Sequence, residues 1–144
     1  MDYQNNEKYA KNIGRILDNR YTLEKVIGEG SSAVVFQADD MRTGRPVAVK
    51  ILKPEHSSDI KAVKRFENEC KVISMLSHPS IVRVVDVSVT NSPKYIVMEY
   101  INGITLRQYM DGKGALSFSD IMDFGEQILS ALDHAHFKGI FTVT

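Results

Sequence analysis

Gly28-Glu29-Gly30-Ser31-Ser32 divides a strand-forming stretch into two runs, Tyr21–Ile27 and Ala33–Ala38. Both runs carry β-branched and aromatic side chains, so the stretch reads as a hairpin closed by a glycine turn. Without a Cβ, glycine lets backbone N–H groups approach an anion such as a phosphate. By itself the turn suits a plain hairpin as well as a phosphate cradle. A strand rather than a helix follows it, which separates it from a dinucleotide-binding fingerprint.

A third strand, Pro46–Leu52, follows the turn at Thr43-Gly44. Ser57, Ser58 and Asp59 then offer N-caps for a helix running to about Leu76. Val63, Phe66, Cys70, Ile73 and Leu76 recur on it at helical spacing, and His78-Pro79 stops it. Two more strands are expected at Ile81–Val89 and Tyr95–Glu99, joined by Thr90-Asn91-Ser92-Pro93. After the connector Tyr100-Ile101-Asn102-Gly103 comes a short helix around Leu106–Met110, broken by Asp111-Gly112-Lys113-Gly114. The last helix starts at Ser117, with Asp120 as capping-box partner. Its expected buried stripe is Ile121, Phe124, Ile128, Leu132 and Ala135, and Gly139 ends it. Upstream, residues 1–16 are polar and aperiodic and read as a loose leader. The fold class is α+β: a five-stranded antiparallel sheet packed on one helix, followed by two helices of a second, helical part.

Among the 144 residues, eighteen basic and eighteen acidic side chains cancel, leaving no field that favours nucleic acid or an anionic membrane. One cysteine, Cys70, excludes an internal disulfide framework and fits a reducing compartment, so a cytoplasmic location is expected. The N-terminus has no apolar core of the signal-peptide kind. No apolar run approaches the roughly 20 residues that span a bilayer.

Val47-Ala48-Val49-Lys50 places a lysine on an apolar strand, and period-2 alternation turns Ala48 and Lys50 to one face. A small residue beside a lysine suits a flat heterocycle with phosphates alongside; a lone lysine here is equally a surface charge. Glu69, next to Cys70 and three residues from Phe66, lies at the margin of the helix's buried stripe. From there it can turn toward the sheet and pair with Lys50, fixing the amine for a phosphate. Alone, it reads as a solvated helix charge. His78, His134 and His136 do not read as a metal site, since two helical residues two apart face different sides.

Taken in order, these blocks resemble the protein-kinase signature set from about Gly14 to Ile140. The resemblance is carried by Ile27-Gly28-Glu29-Gly30-Ser31-Ser32-Ala33-Val34-Val35, Val47-Ala48-Val49-Lys50 and Arg65-Phe66-x-x-Glu69. Leu76-Ser77-His78-Pro79-Ser80-Ile81-Val82, Met98-Glu99-Tyr100-Ile101-x-Gly103-x-Thr105-Leu106 and Ala131-Leu132-x-x-Ala135-His136-x-x-Gly139-Ile140 complete it. Gly14-Arg15-Ile16-Leu17-x-x-Arg20-Tyr21 is most similar to the bacterial eukaryotic-like serine/threonine kinases, and Ala33 stands where a third glycine is usual. The resemblance implies a leader over 1–16, an ATP-binding N-lobe over 17–100, a hinge and first C-lobe helices over 101–140, and an off-family tail over 141–144. It implies that Gly28 to Val35 cover the phosphates of ATP and that Ile27, Val35 and Ala48 sandwich adenine. Lys50 would hold the α- and β-phosphates, oriented by Glu69. Met98 would be the gatekeeper, with the Glu99 carbonyl and Ile101 amide on the adenine edge.

In this family Gly139-Ile140 precedes His-Arg-Asp, which supplies the catalytic base, and later Asp-Phe-Gly, which supplies a magnesium ligand. Here Phe141-Thr142-Val143-Thr144 follows instead. A one-nucleotide slip in codons for Val-His-Arg-Asp-Leu yields this tetrapeptide and a stop, so a truncated or frame-shifted product is expected. Both His-Arg-Asp and Asp-Phe-Gly are expected to be absent, so no catalytic residue, no magnesium ligand and no phosphoryl transfer to a protein substrate are expected of this chain. The alternatives are a nucleotide- or partner-binding module and a product without function. With its stripe uncovered, the last helix is expected to invite a protein partner or self-association, on a marginally stable fold.

Overall fold

Six strands form one antiparallel sheet in the computed structural model, which describes residues 7–141. Residues 1–6 of the leader and Thr142, Val143 and Thr144 of the tail lie outside the described residues. The strands are β1 (Ile16–Leu17), β2 (Tyr21–Glu29), β3 (Ala33–Asp40), β4 (Arg45–Leu52), β5 (Val84–Ser88) and β6 (Tyr95–Glu99). Helix α1 spans Ile60–Ser74, α2 Leu106–Lys113 and α3 Phe118–Phe137. The chain divides into two units: residues up to Ser74 with Val84–Tyr100, and Met75–Arg83 with the residues from Ile101 onward.

In the first unit the sheet order is β1-β2-β3-β4-β6-β5. Alternation along the strands sorts apolar side chains onto two faces. One face gathers Leu23, Val26, Val34, Phe36, Val49 and Val97 into a core that also takes in Tyr9 and Leu17. The other carries Ala33, Leu52 and Ile96, which pack on Phe66 and Cys70 of α1, with Val63, Ile73 and Met98 alongside. Burial pushes the Cys70 thiol up to about 11, so it stays protonated and serves as core filling. Helix α1 starts where the Asp59 carboxylate accepts the amides of Lys61 and Ala62 at 2.9 and 3.3 Å.

The sheet is strongly curled, and polar contacts join its distant strands. Tyr21 Oη at the start of β2 donates to Asp86 Oδ2 on β5 at 2.8 Å, across 65 positions of sequence. Arg20 reaches the same oxygen at 3.4 Å and forms a two-pronged pair with Asp40, Nε to Oδ1 and Nη2 to Oδ2, each 2.8 Å. The Tyr95 hydroxyl donates to the Asp18 carboxylate. Asp18 and Asn19 have φ of 45° and 52°, the left-handed turn that links β1 to β2.

Three features depart from the sequence reading. The sheet has six strands rather than five, and residues 7–12 of the supposed leader form a 3₁₀ helix whose Tyr9 is 4% exposed. Tyr9 packs edge-on against Phe36, and that burial outweighs the polar composition around it. Strand β5 begins at Val84, not Ile81: Val84 pairs with Met98, and β6 ends at Glu99, so earlier residues have no partner strand. The apolar stripe of α3, expected to lack most of its cover, is only partly buried. Ala135 is 6% exposed, Phe124 and Leu132 are half-buried, and Ile121 and Ile128 are 54% and 52% exposed.

In the second unit both helices open with capping boxes. Thr105 and Gln108 exchange side-chain and backbone hydrogen bonds at 2.8 and 3.2 Å, and Ser117 and Asp120 do so at 2.9 and 3.1 Å. Helix α3 ends at Phe137, and just beyond it Gly139, with φ of +73°, allows its amide and that of Ile140 to return to the His136 and Ala135 carbonyls. Phe124, Ile128 and Leu132 line an apolar groove of about 710 Å³ with Leu76, Ile81 and Leu106. His78 and His134 are spent within this unit: Nε2 of His78 meets Ser130 Oγ at 3.0 Å, and the Ser77 amide donates to His134 Nε2 at 3.3 Å. Among the described residues no helix is long and apolar enough to cross a membrane.

Candidate functional site

Register across β3, β4 and β6 decides which side chains share a surface. Val35 pairs with Lys50, and Lys50 with Ile96; one step along, Ala48 pairs with Met98. Cross-strand partners point to the same face, so Val35, Ala48, Lys50 and Met98 line the face that carries α1. A register shift between Val26 and Gly28 leaves Ile27 as a bulge residue, turned away from the Val26 face. Val34 points the other way, and its side chain is 2% exposed in the opposite core. Only the backbone of Val34 is therefore left for a ligand on the Val35 face.

The Lys50 ammonium donates to the Glu69 carboxylate of α1, as their spacing suggests. With side chains 26% and 45% exposed, both remain reachable. The pair fixes a flexible amine at one point above the sheet, ready for an anionic oxygen. Lys50 and Glu69 are thus brought together with Val35, Ala48 and Met98 inside the first unit. Glu99 closes β6, whereas Ile101 belongs to the second unit, with its side chain 61% exposed.

The glycine turn is held at its base by the fold itself. The Gly30 amide donates to the Ala33 carbonyl at 2.8 Å, and the Lys53 amide to the Ser32 carbonyl at 2.9 Å. Neither Gly28 nor Gly30 has a positive φ. A Cβ built on either meets nothing nearer than 3.6 Å, at Val35 and at the Ala33 carbonyl oxygen. The fold would accept alanine at both positions. Glycine is therefore not needed by the chain's own packing here, and the space it leaves is open to a ligand.

Glu29 is committed differently from the reading that placed it on the phosphates. Its carboxylate accepts Tyr9 Oη at 2.6 Å and Lys53 Nζ at 2.8 Å, and these partners hold it at about 2, Lys53 first. Pairing with Glu29 in turn raises Lys53, which is 6% exposed. Sequence reasoning missed both partners. Lys53 follows an apolar strand with no local sign of burial, and Tyr9 sits in a polar run.

Two further motif expectations meet the structure. The tripeptide Asp123-Phe124-Gly125 does occur in the chain, contrary to the expectation that Asp-Phe-Gly is absent. It lies inside α3, where Phe124 packs edge-on against Tyr109 and the Asp123 carbonyl accepts Gln127 Nε2 at 3.2 Å. A continuous helix is not a ligand-binding loop. Among the described residues no three His, Cys, Asp or Glu side chains converge.

The protein kinase domain family matches residues 21–142. Probable serine/threonine-protein kinase CPE1738 of Clostridium perfringens is 42% identical over 128 residues, covering 89% of this chain and 19% of that protein. PrkC of Bacillus subtilis is 40% identical over 124 residues, covering 86% and 19%. PknA of Mycobacterium tuberculosis is 38% identical over 133 residues, covering 89% and 31%. The chain thus spans less than a third of the length of these relatives. Among solved structures, the Mycobacterium tuberculosis PknI kinase domain superposes with a TM-score of 0.72 at 28% identity, over 88% of this chain and 51% of that one. Rad53 1-466 in complex with AMP-PNP gives 0.69 at 30% identity, over 83% and 31%.

Proposed function

The chain belongs to the protein kinase domain family, among bacterial serine/threonine kinases, and on that premise we propose that its first unit binds ATP. The observation that carries this reading is the Lys50–Glu69 pair, set on the same sheet face as Val35, Ala48 and Met98. Adenine lies against Ile27, Val35 and Ala48, with Met98 behind it and the Glu99 carbonyl taking its amino group. The phosphates pass under Gly28–Val35, and Lys50 meets their oxygens. Each contact favours a different part of one molecule: apolar walls for the base, open backbone and an ammonium for the anion.

Phosphoryl transfer to protein serine or threonine is proposed for the family's whole catalytic domain. These 144 residues contain no His-Arg-Asp, and their one Asp-Phe-Gly lies inside α3. The activity proposed for them is nucleotide binding.

The open space at Gly30 supplies the test. Gly30→Ala should leave the melting temperature unchanged or slightly raised, since alanine lowers the entropy of the unfolded chain and meets only ordinary contacts. ATP affinity by calorimetry should fall about tenfold, equivalent to about 1.4 kcal/mol, because the methyl occupies the phosphate's approach. Equal ATP affinity in parent and variant would remove the turn from the nucleotide site.

A further inference from the structure

We infer that Tyr9 and Lys53 are positioning residues for the glycine turn, acting through the Glu29 carboxylate, so that the order of the turn depends on the segment Glu7–Asn12. This rests on the turn being the phosphate cradle and says what holds it in place.

A turn bearing two glycines loses much backbone entropy on ordering, so its resting position needs anchors. Glu29 sits between those glycines at the end of β2. One of its oxygens takes both the Tyr9 hydroxyl and the Lys53 ammonium, and Lys8 Nζ stands 3.7 Å away. Neither anchor is loose. The Tyr9 ring is packed edge-on against Phe36 with centroids 6.2 Å apart, which points its hydroxyl at a fixed place. Lys53 is nearly buried, a costly state for an ammonium unless an anion accompanies it. Lys53 also grips both stems of the turn, Glu29 by its side chain and Ser32 by its backbone amide.

The arrangement also settles a charge problem. An unpaired carboxylate in the middle of a phosphate cradle would repel its ligand. Tied to Lys53 and Tyr9, Glu29 is neutralised on the side of the N-terminal segment. Tyr9 contributes order without changing charge, whereas Lys53 contributes both, and this difference makes the two separable.

The test uses the 144-residue chain and starts without nucleotide. Tyr9→Phe keeps the packed ring and removes one hydrogen bond to a carboxylate. Amide exchange at Gly30–Ala33 should speed up by roughly tenfold, the scale of one hydrogen bond to a charged group. Amides of β4 and α1 should keep their parental rates. ATP affinity should fall severalfold while adenosine affinity holds. Lys53→Met should repeat the effect on exchange and weaken ATP further, and Lys53→Arg should restore both. Unchanged exchange in the Tyr9→Phe turn overturns the inference. So does a uniform increase through β2, β3 and β4, which would make Tyr9 a general stabiliser only. If the parent binds no ATP yet the turn responds as described, the tether stands and the nucleotide reading falls.

Discussion

Replacing Lys50 with methionine is expected to weaken ATP binding by about ten- to a hundredfold, the range for a lost hydrogen bond between an ammonium and an anion. The aliphatic stem survives the change, so packing on the sheet face is kept. The fold should hardly notice. Lys50 and Glu69 are partly exposed, and such a pair contributes at most about 1 kcal/mol, a shift of a few degrees. The loss should also depend on the ligand. Adenosine has no phosphates and should bind parent and variant alike, with AMP between it and ATP. Calorimetry with the three ligands reads the gradient directly. An equal loss for adenosine and ATP would mean that Lys50 shapes the pocket rather than meeting the phosphates.

The largest stability effect is expected at Asp40. Its side chain is almost fully buried and accepts four hydrogen bonds: two from Arg20, one from the Arg42 amide at 3.0 Å and one from Thr43 Oγ1 at 3.1 Å. Arg20 continues to Asp86, so this one carboxylate holds the start of β2, the β3–β4 turn and, through Arg20, the far strand β5. Asp40→Ala leaves those donors without their acceptor and should cost roughly 3 kcal/mol, the scale for breaking a buried pair from one side. In melting temperature that is a drop of roughly 10 °C.

A pH dependence comes with it. The Arg20 guanidinium holds Asp40 well below the usual carboxylate range, and Lys53 and Tyr9 hold Glu29 at about 2. Both groups bind protons more weakly in the folded than in the unfolded chain. Their contribution is therefore complete above the ordinary carboxylate values, and it is lost as pH falls through the folded ones. Urea midpoints should be flat from pH 7 to about 5 and then decline, more shallowly in Asp40→Ala. A variant with the parental midpoint and the parental acid slope would show that Asp40 does not hold the curl together.

What was legible in the sequence is what has a local signature. Short runs of apolar and β-branched residues at Val47–Val49 and Tyr95–Met98 signal strands, and Ser117 with Asp120 signals the start of α3. Glu69 was placed opposite Lys50 because helical spacing from Phe66 and Cys70 is arithmetic. The parts that escaped depend on partners distant in the chain. Tyr9 is buried by Phe36, 27 residues on, and nothing in Glu7–Asn12 hints at it. The contacts of Arg20 and Tyr21 with Asp86 have no period to betray them, and the length of β5 is set by where β6 ends. The bonds of Glu29 to Lys53 and Tyr9 are not legible either, because both partners lie far from it in the chain. Asp123-Phe124-Gly125 is legible as a tripeptide, and only the structure shows that it lies within a helix.

The glycine turn, Lys50 and the sheet face around it are proposed to form one nucleotide site. Mapping backbone amide shifts during an ATP titration of the 144-residue chain tests that most directly. Saturable shifts concentrated at Gly28–Val35, Lys50 and Met98 are the predicted result. An absence of shifts at millimolar ATP, or shifts confined to residues outside β2, β3, β4 and β6, would contradict it.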